Sequence, residues 1–399
     1  MIKKAWFASM SVLILLGGCL PGMQPDDEGV DIEQDEANED ETDVEVSPEV
    51  PSLKNNYRSI LEDDEYIHGS TRGYSPDIVY NRLDLERMEI GLQEIASDDF
   101  PTEDYFFREG QFITREEIDN WLRREADPNE EGEGGNPNGL NPPLGEGDSF
   151  EERERSAPRP LSTILEHNYV VENDNGNLQL GGIVIGLSMN SIYYFREQEE
   201  DGAYGPWLEQ QIDEETSLEE GKALAQEILQ RLRDEEREDG ELSQVPLTFA
   251  LFREAPRDSP VPGEFIATGH ADPGEDVGNW ETLNESHYLF PSDAANEDQR
   301  ADNEAFNQFR EDVNQFFENY IGVVGRGYYQ NDELRSLKID VPIRYYSETE
   351  VIALTQHITD RLEQRFPSEL EIEVKIKSTN GQEALIVKEA NEDPFVHVY

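Results

Sequence analysis

The stretch 183–194 sets Ile183, Ile185, Leu187 and Met189 in strict alternation and ends on Tyr193 and Tyr194, and the stretch 337–346 repeats it with Leu337, Ile339, Val341, Ile343, Tyr345 and Tyr346. A period of two means a strand with one buried face. Each strand is followed by a Ser-x-x-Glu capping box, Ser217 with Glu220 and Ser347 with Glu350, which predicts a helix start. Apolar stripes continue from those caps, Leu224, Ile228 and Leu232 in one copy and Val351, Leu354, Ile358 and Leu362 in the other. Two more strands close each copy. Leu247, Phe249 and Leu251 lead to residues 263–271; Leu370, Ile372, Val374 and Ile376 lead through Asn380 and Gly381 to residues 384–388. The sequence therefore predicts an α+β protein with two related β-α-β-β units, each an antiparallel sheet with one wet face.

Outward from the repeat, residues 167–172 and 178–189 flank Asn175 and Gly176, a hairpin signal. Between the copies, residues 298–320 predict a long amphipathic helix carrying Phe306, Phe309, Val313, Phe316 and Tyr320, which would join the two halves. Upstream, residues 52–124 read as helical, with Tyr57, Ile60 and Leu61 on one face and Leu85, Met88, Leu92 and Ile95 on another. Thr114 to Glu117 has capping-box spacing before Ile118, Trp121 and Leu122. Residues 126–149 are rich in Gly, Pro and Asn and predict turns. The expected parts are thus 1–18, 19–51, a mainly helical region 52–160 with its Gly/Pro-rich loop, a first β-α-β-β domain 161–295, and the linking helix with a second such domain over 296–399.

The N-terminus places Lys3 and Lys4 before an apolar run, then Leu16, Gly17, Gly18 and Cys19. That is the order of a secretory signal, and the run is shorter than the ~20 residues of a spanning helix. Leu16, Gly17 and Gly18 are read as the signal-peptidase recognition residues and Cys19 as the lipidated N-terminus, resembling the lipobox of bacterial lipoproteins. Cys19 is the only cysteine in 399 residues, so no intramolecular disulfide forms. The expected localisation is the extracytoplasmic face of the cell membrane, held by the lipid anchor. Lipoprotein-processing enzymes are the expected partners in maturation. Residues 20–51 carry 13 acidic residues, no basic ones and four prolines. Such a segment predicts a disordered tether with a random-coil span of roughly 30 Å.

With 90 acidic against 32 basic residues the net charge is −58, spread over the whole chain. Such a body repels nucleic acid and reads as an acidic solvation coat, whose self-repulsion dissolved salt screens. No catalytic motif, cofactor fingerprint or metal-ligand spacing is present in the sequence. His270 and Asp272 near a strand end suit either ligands or a surface polar cluster. Tyr193, Tyr194 and Trp207 lie in the long insertion between strand and helix of the first copy. They read equally as a binding surface and as the closure of a sheet core.

Asn56 to Leu61, Glu109 to Gln111, and above all Gly139, Leu140, Asn141, Pro142, Pro143, Leu144 and Gly145 resemble the CamS family of Gram-positive sex pheromone precursor lipoproteins. The resemblance implies a membrane-anchored, non-enzymatic binding or interaction module without cofactor, with an unnamed surface or cell-wall partner. It also implies that Val12, Leu13, Ile14, Leu15, Leu16, Gly17 and Gly18 are released as a pheromone-like peptide. A solute-binding lipoprotein of a transporter is the alternative, although that class is built from alternating βα units around a cleft.

Overall fold

The two alternating stretches lie at the centres of two six-stranded sheets built to one plan. The computed structural model describes residues 44–50, 53, 55–72, 80–82, 84–128, 134–173, 176–198, 202–235, 237–316, 322–344 and 347–399. A small antiparallel sheet of β1 (Val44–Val46), β2 (Ile60–Glu62) and β3 (Glu65–Tyr66) comes first. Then α1 (Leu85–Asp99), β4 (Tyr105–Glu109), α2 (Arg115–Trp121) and α3 (Phe150–Ser156) lead into the hairpin of β5 (Leu161–Glu172) and β6 (Leu178–Met189). A short hairpin, β7 (Ile192–Phe195) and β8 (Leu208–Gln211), precedes α4 (Glu214–Leu232), β9 (Leu247–Arg253), β10 (Glu264–Ala271) and β11 (Gly278–Thr282). The remainder is β12 (Glu285–Phe290), α5 (Asp293–Asp298), α6 (Arg300–Asn314), β13 (Val324–Gln330), β14 (Glu333–Pro342), α7 (Glu348–Arg365), β15 (Glu371–Ser378), β16 (Gly381–Lys388) and β17 (Phe395–Val398).

In both large sheets the strands stand in chain order, β4-β5-β6-β9-β10-β11 and β12-β13-β14-β15-β16-β17. Neighbours are antiparallel except β6 with β9 and β14 with β15, the pairs bridged by α4 and α7. A helical crossover returns the chain in its starting direction, so the middle of each β-α-β-β unit has to be parallel. Each unit gains antiparallel strands on both sides. Ile183 faces Leu247 in the first sheet, and Leu337 faces Ile372 in the second. The α+β class is therefore observed.

Three expectations are corrected. Residues 52–124 are mixed: Ile60 and Leu61 lie in β2, and β4 joins the first sheet. Asp63 and Asp64 adopt positive φ of 51° and 64°, and that tight turn overrides the helical spacing before it. Val44–Val46, assigned to the tether, pairs with Ile60–Glu62. The long helix breaks at Gln299 into α5 and α6, and it packs against α7 rather than joining the halves. The join is the short link between β11 and β12, where Leu283 N–H bonds Ile266 O in the first sheet and Asn284 O accepts from Asn331 N–H in the second. Tyr320, Tyr345, Tyr346 and Asn175 lie outside the described residues.

The capping expectations divide. Thr114 with Glu117 and Ser347 with Glu350 form complete capping boxes. In α4 the cap is Asp213, accepting from Thr216 N–H at 2.8 Å, and Ser217 is buried one turn inside.

Burial separates the halves. In the second sheet α6 and α7 cover one face, with Phe306, Phe309, Leu354 and Ile358 over Ile339, Val374 and Ile386, and burial alternates along β14 and β15. The first sheet is covered on both. Leu224, Ile228 and Leu232 of α4, with Ile118 and Trp121 of α2, pack on Ile183, Ile185 and Leu187, while Met88, Leu92 and Ala96 of α1 pack on the side of Val184, Ala250 and Phe252. Strand β6 is buried at every position from Gly182 to Met189, against the expected wet face. Gly182 and Gly186 make this possible. A Cβ at Gly186 would stand 2.7 Å from Met88 Cε, and one at Gly182 would stand 2.2 Å from the Phe100 ring.

Candidate functional site

Strand order puts the insertion of the first copy at the C-terminal end of β6, where β7 and β8 form their own hairpin. Tyr193 and Tyr194 do not form a surface. They are 7% and 5% exposed, and Tyr193 stacks on Phe195 at 5.3 Å. The Tyr193 hydroxyl donates to Glu154 Oε2 at 2.7 Å, and the same oxygen accepts from Arg124 Nη2 at 2.5 Å. Burial first, with the Glu154 carboxylate adding to it, pushes the Tyr193 hydroxyl up to about 12. Tyr193 is thus tied to Glu154 and Arg124, and both tyrosine rings are buried rather than presented to solvent.

Trp207 is the exposed member, at 38%. Tyr80 meets it edge-on at 4.7 Å. The Arg196 guanidinium lies 4.0 Å from the Tyr204 ring centre and 4.4 Å from that of Trp207, and Arg257 lies over Tyr194 at 4.5 Å and Trp207 at 5.8 Å. Two cations thus share one indole in a strongly acidic chain. Each guanidinium lies at cation–π distance from two rings, and Arg257 Nε also stands 3.9 Å from Asp258. In sequence only Arg196 stands beside aromatics, and the fold alone brings residues 80, 196, 207 and 257 together.

The remaining candidates are structural. His270 Nδ1 stands 3.4 Å from Asp99 and Nε2 3.2 Å from Asp272, while Thr248 Oγ1 donates to Asp99 at 2.7 Å, a surface bridge tying the end of α1 to β9 and β10. No group of three or more His, Cys, Asp or Glu converges as metal ligands among the described residues. A shallow open depression of about 420 Å³ between α6 and α7 is lined by Asp312, Gln315, Phe316, His357 and Arg361. Its imidazole is already stacked on Phe316 at 4.7 Å. Cys19, Leu16, Gly17, Gly18 and the heptapeptide from Val12 lie outside the described residues. No helix among the described residues is long and apolar enough to cross a membrane.

The motif residues themselves turn out to be joints. Asn141, fully buried, donates from Nδ2 to Leu122 O at 2.8 Å and Leu161 O at 3.1 Å and accepts from Leu161 N–H at 3.0 Å, clamping the end of α2 to the start of β5. Gly139 passes so close to Arg124 that a Cβ would lie 2.4 Å from its carbonyl carbon. Gly110 leaves room for Glu166, whose buried carboxylate accepts from the Gln111, Phe112 and Ile113 N–H groups at 3.1, 3.0 and 2.8 Å. Burial raises the Glu166 carboxyl against the lowering pull of those donors.

These joints lie within the residues that the model of the CamS sex pheromone cAM373 precursor family matches, 66–394. The chain belongs to that family. It is similar to the sex pheromone precursor of Lactobacillus salivarius subsp. salivarius, with 30% identity over 90% of this chain and 99% of that one, at a TM-score of 0.78. It is similar also to the C-terminal domain of the sex pheromone staph-cAM373 precursor of Staphylococcus aureus, at 30% identity, 80% and 96% coverage and a TM-score of 0.67. A comparison with curated proteins finds none that matches. The chain shares its fold with those structures, and its own residues 139–141 are committed to holding α2, β5 and the first sheet together.

Proposed function

We propose that the chain is the lipid-anchored precursor of a sex-pheromone-like peptide, exported, cut before Cys19 and held at the extracytoplasmic face of the membrane. The observation that carries this reading is the family match over residues 66–394, together with an N-terminus ordered as Lys3 and Lys4, an apolar run, and Leu16 to Cys19. The released segment is Val12 to Gly18, apolar throughout and ending on two glycines. Its test is a conjugation assay. The synthetic heptapeptide raises plasmid transfer into pheromone-sensing cells and a scrambled heptapeptide does not; an inactive heptapeptide contradicts the reading.

The folded body is, on this reading, a non-enzymatic interaction module. Trp207 with Arg196 and Arg257 is the face we assign to its surface or cell-wall partner, since stacked guanidiniums suit an anionic group. A lipid anchor with two acyl chains supplies stable attachment at ~0.8 kcal/mol per buried methylene, without any spanning helix.

A further inference from the structure

The last strand of the second sheet is an edge left bare among the described residues. β17 pairs with β16 in the register Phe395 with Val387, Val396 with Ile386, His397 with Leu385 and Val398 with Ala384, and no described strand lies beyond it. Tyr399 N–H bonds Glu383 O at 3.0 Å. Antiparallel ladders alternate, so Phe395 and His397 also bond toward β16, while the N–H and C=O groups of Val396 and Val398 point outward. Paired residues share a face of the sheet. Val396 and Val398 therefore lie on the helix-covered side with Ile386 and Ala384, and Phe395, His397 and Tyr399 lie on the open side with Val387 and Leu385.

Both sides of this edge present apolar side chains to solvent. Phe395 is 63% exposed, Tyr399 62% and Val396 40%. Residues 394–399 contain no Asp, Glu, Lys or Arg, in a chain that is 31% charged. The other edge strands of the two large sheets all carry charge: Arg108 and Glu109 in β4, Glu281 in β11 and Glu285 in β12. Charge on an edge keeps other strands from adding to it. β17 lacks that protection.

We infer, on the reading that Val12 to Gly18 is released, that β17 is the edge to which the free peptide adds as a further strand. A strand seated there has to be apolar on both faces, because the edge is apolar on both. Val12, Ile14 and Leu16 would turn to one side and Leu13 and Leu15 to the other, five uncharged residues against the four of β17. Val12 and Ile14 are β-branched, which suits a strand. A second copy of the chain would bring −58 up to −58, whereas the peptide has no charged side chain. Backbone bonds to Val396 and Val398 hold the peptide, and the exposed side chains of β17 cover its flanks. The lipoprotein body thereby retains part of its own peptide at the membrane surface.

Every described element lies after residue 43, so the unacylated mature chain, residues 19–399, keeps all of them. Fluorescence anisotropy of the labelled synthetic heptapeptide titrated with that chain tests the inference. Binding is saturable. Val396→Pro removes an outward N–H without touching the ladder to β16, and Phe395→Lys places a charge on the edge; each weakens binding roughly tenfold while far-UV dichroism is unchanged. A heptapeptide carrying Leu13→Pro and Ile14→Pro stays apolar but loses a donor toward β17 in either register, and it binds as weakly. Absence of saturable binding, or binding that survives both substitutions in the chain, overturns the inference. So does sedimentation of the chain as a dimer that Val396→Pro dissociates, which would give the edge to a second copy. Because the peptide is synthetic, a failure to bind leaves cleavage before Cys19 to be judged separately from membrane and medium fractions.

Discussion

The two sheets share strand order, parallel centre and crossover helix, and they differ in how many faces are covered. The second has α6 and α7 on one side, and its open side carries charge: Asp340 pairs with Arg326 at 3.1 Å and with Lys377 at 3.1 Å. The first has α4 and α2 on one side and α1 on the other, with glycines in β6 where α1 comes close. One topology thus gives a wet-faced sheet and one whose central strands are covered on both faces, and the choice is made by a helix that precedes the repeat. Residues in the doubly covered sheet should cost more to disturb than their register equivalents.

The largest expected effect is at Leu92, which is fully buried between α1 and the first sheet and has no counterpart in the second half. Leu92→Ala should lose about 3 kcal/mol in urea unfolding, the usual range for a buried leucine. A loss near zero would mean that α1 is not part of the folded core. Gly186 and Asp340 occupy equivalent positions, so introducing valine at each reads the contrast directly. Gly186→Val drives a side chain into Met88 and Leu92 and should cost about 2 kcal/mol. Asp340→Val loses only half-exposed ion pairs and should cost about 0.5 kcal/mol. Equal costs would break the comparison.

A smaller effect comes from His167, buried in β5 with its ring edge-on to Phe107 at 4.9 Å. Burial lowers this imidazole from 6.5 to about 3, so the folded state excludes a proton that the unfolded chain binds. Its contribution is complete above pH 6.5 and falls away as pH drops toward 3, by about 1.4 kcal/mol per unit. His167→Phe should flatten the wild-type loss between pH 6 and 5 by that amount, as read from urea midpoints. Parallel pH profiles for the two proteins would show that the imidazole charges freely in the fold.

Much of this architecture was legible in the sequence because the repeat is written in period-two alternation followed by period-3.6 stripes, and those periods belong to local geometry. Leu337 to Ile343 alternates, and its strand has one open face. Ile183 to Met189 alternates equally well in its large residues, but the intervening Val184, Gly186 and Ser188 are small or apolar, the mark of a strand buried on both sides. Ile60 and Leu61 misled because helical spacing over a few residues is weak beside two aspartates that accept positive φ. The candidate surface divided for a similar reason. Tyr193 and Trp207 are alike as residue types, and only the position of β7 over the sheet end decides that one bonds Glu154 inside while the other holds two arginines outside.

The central claim concerns how the N-terminus is processed, and mass spectrometry of membrane and medium fractions from the native host reads it directly. The account predicts a mature chain beginning at diacylated Cys19 in the membrane fraction and a free peptide ending at Gly18 in the medium. A chain that retains residues 1–18, or one whose Cys19 carries no lipid, would contradict it.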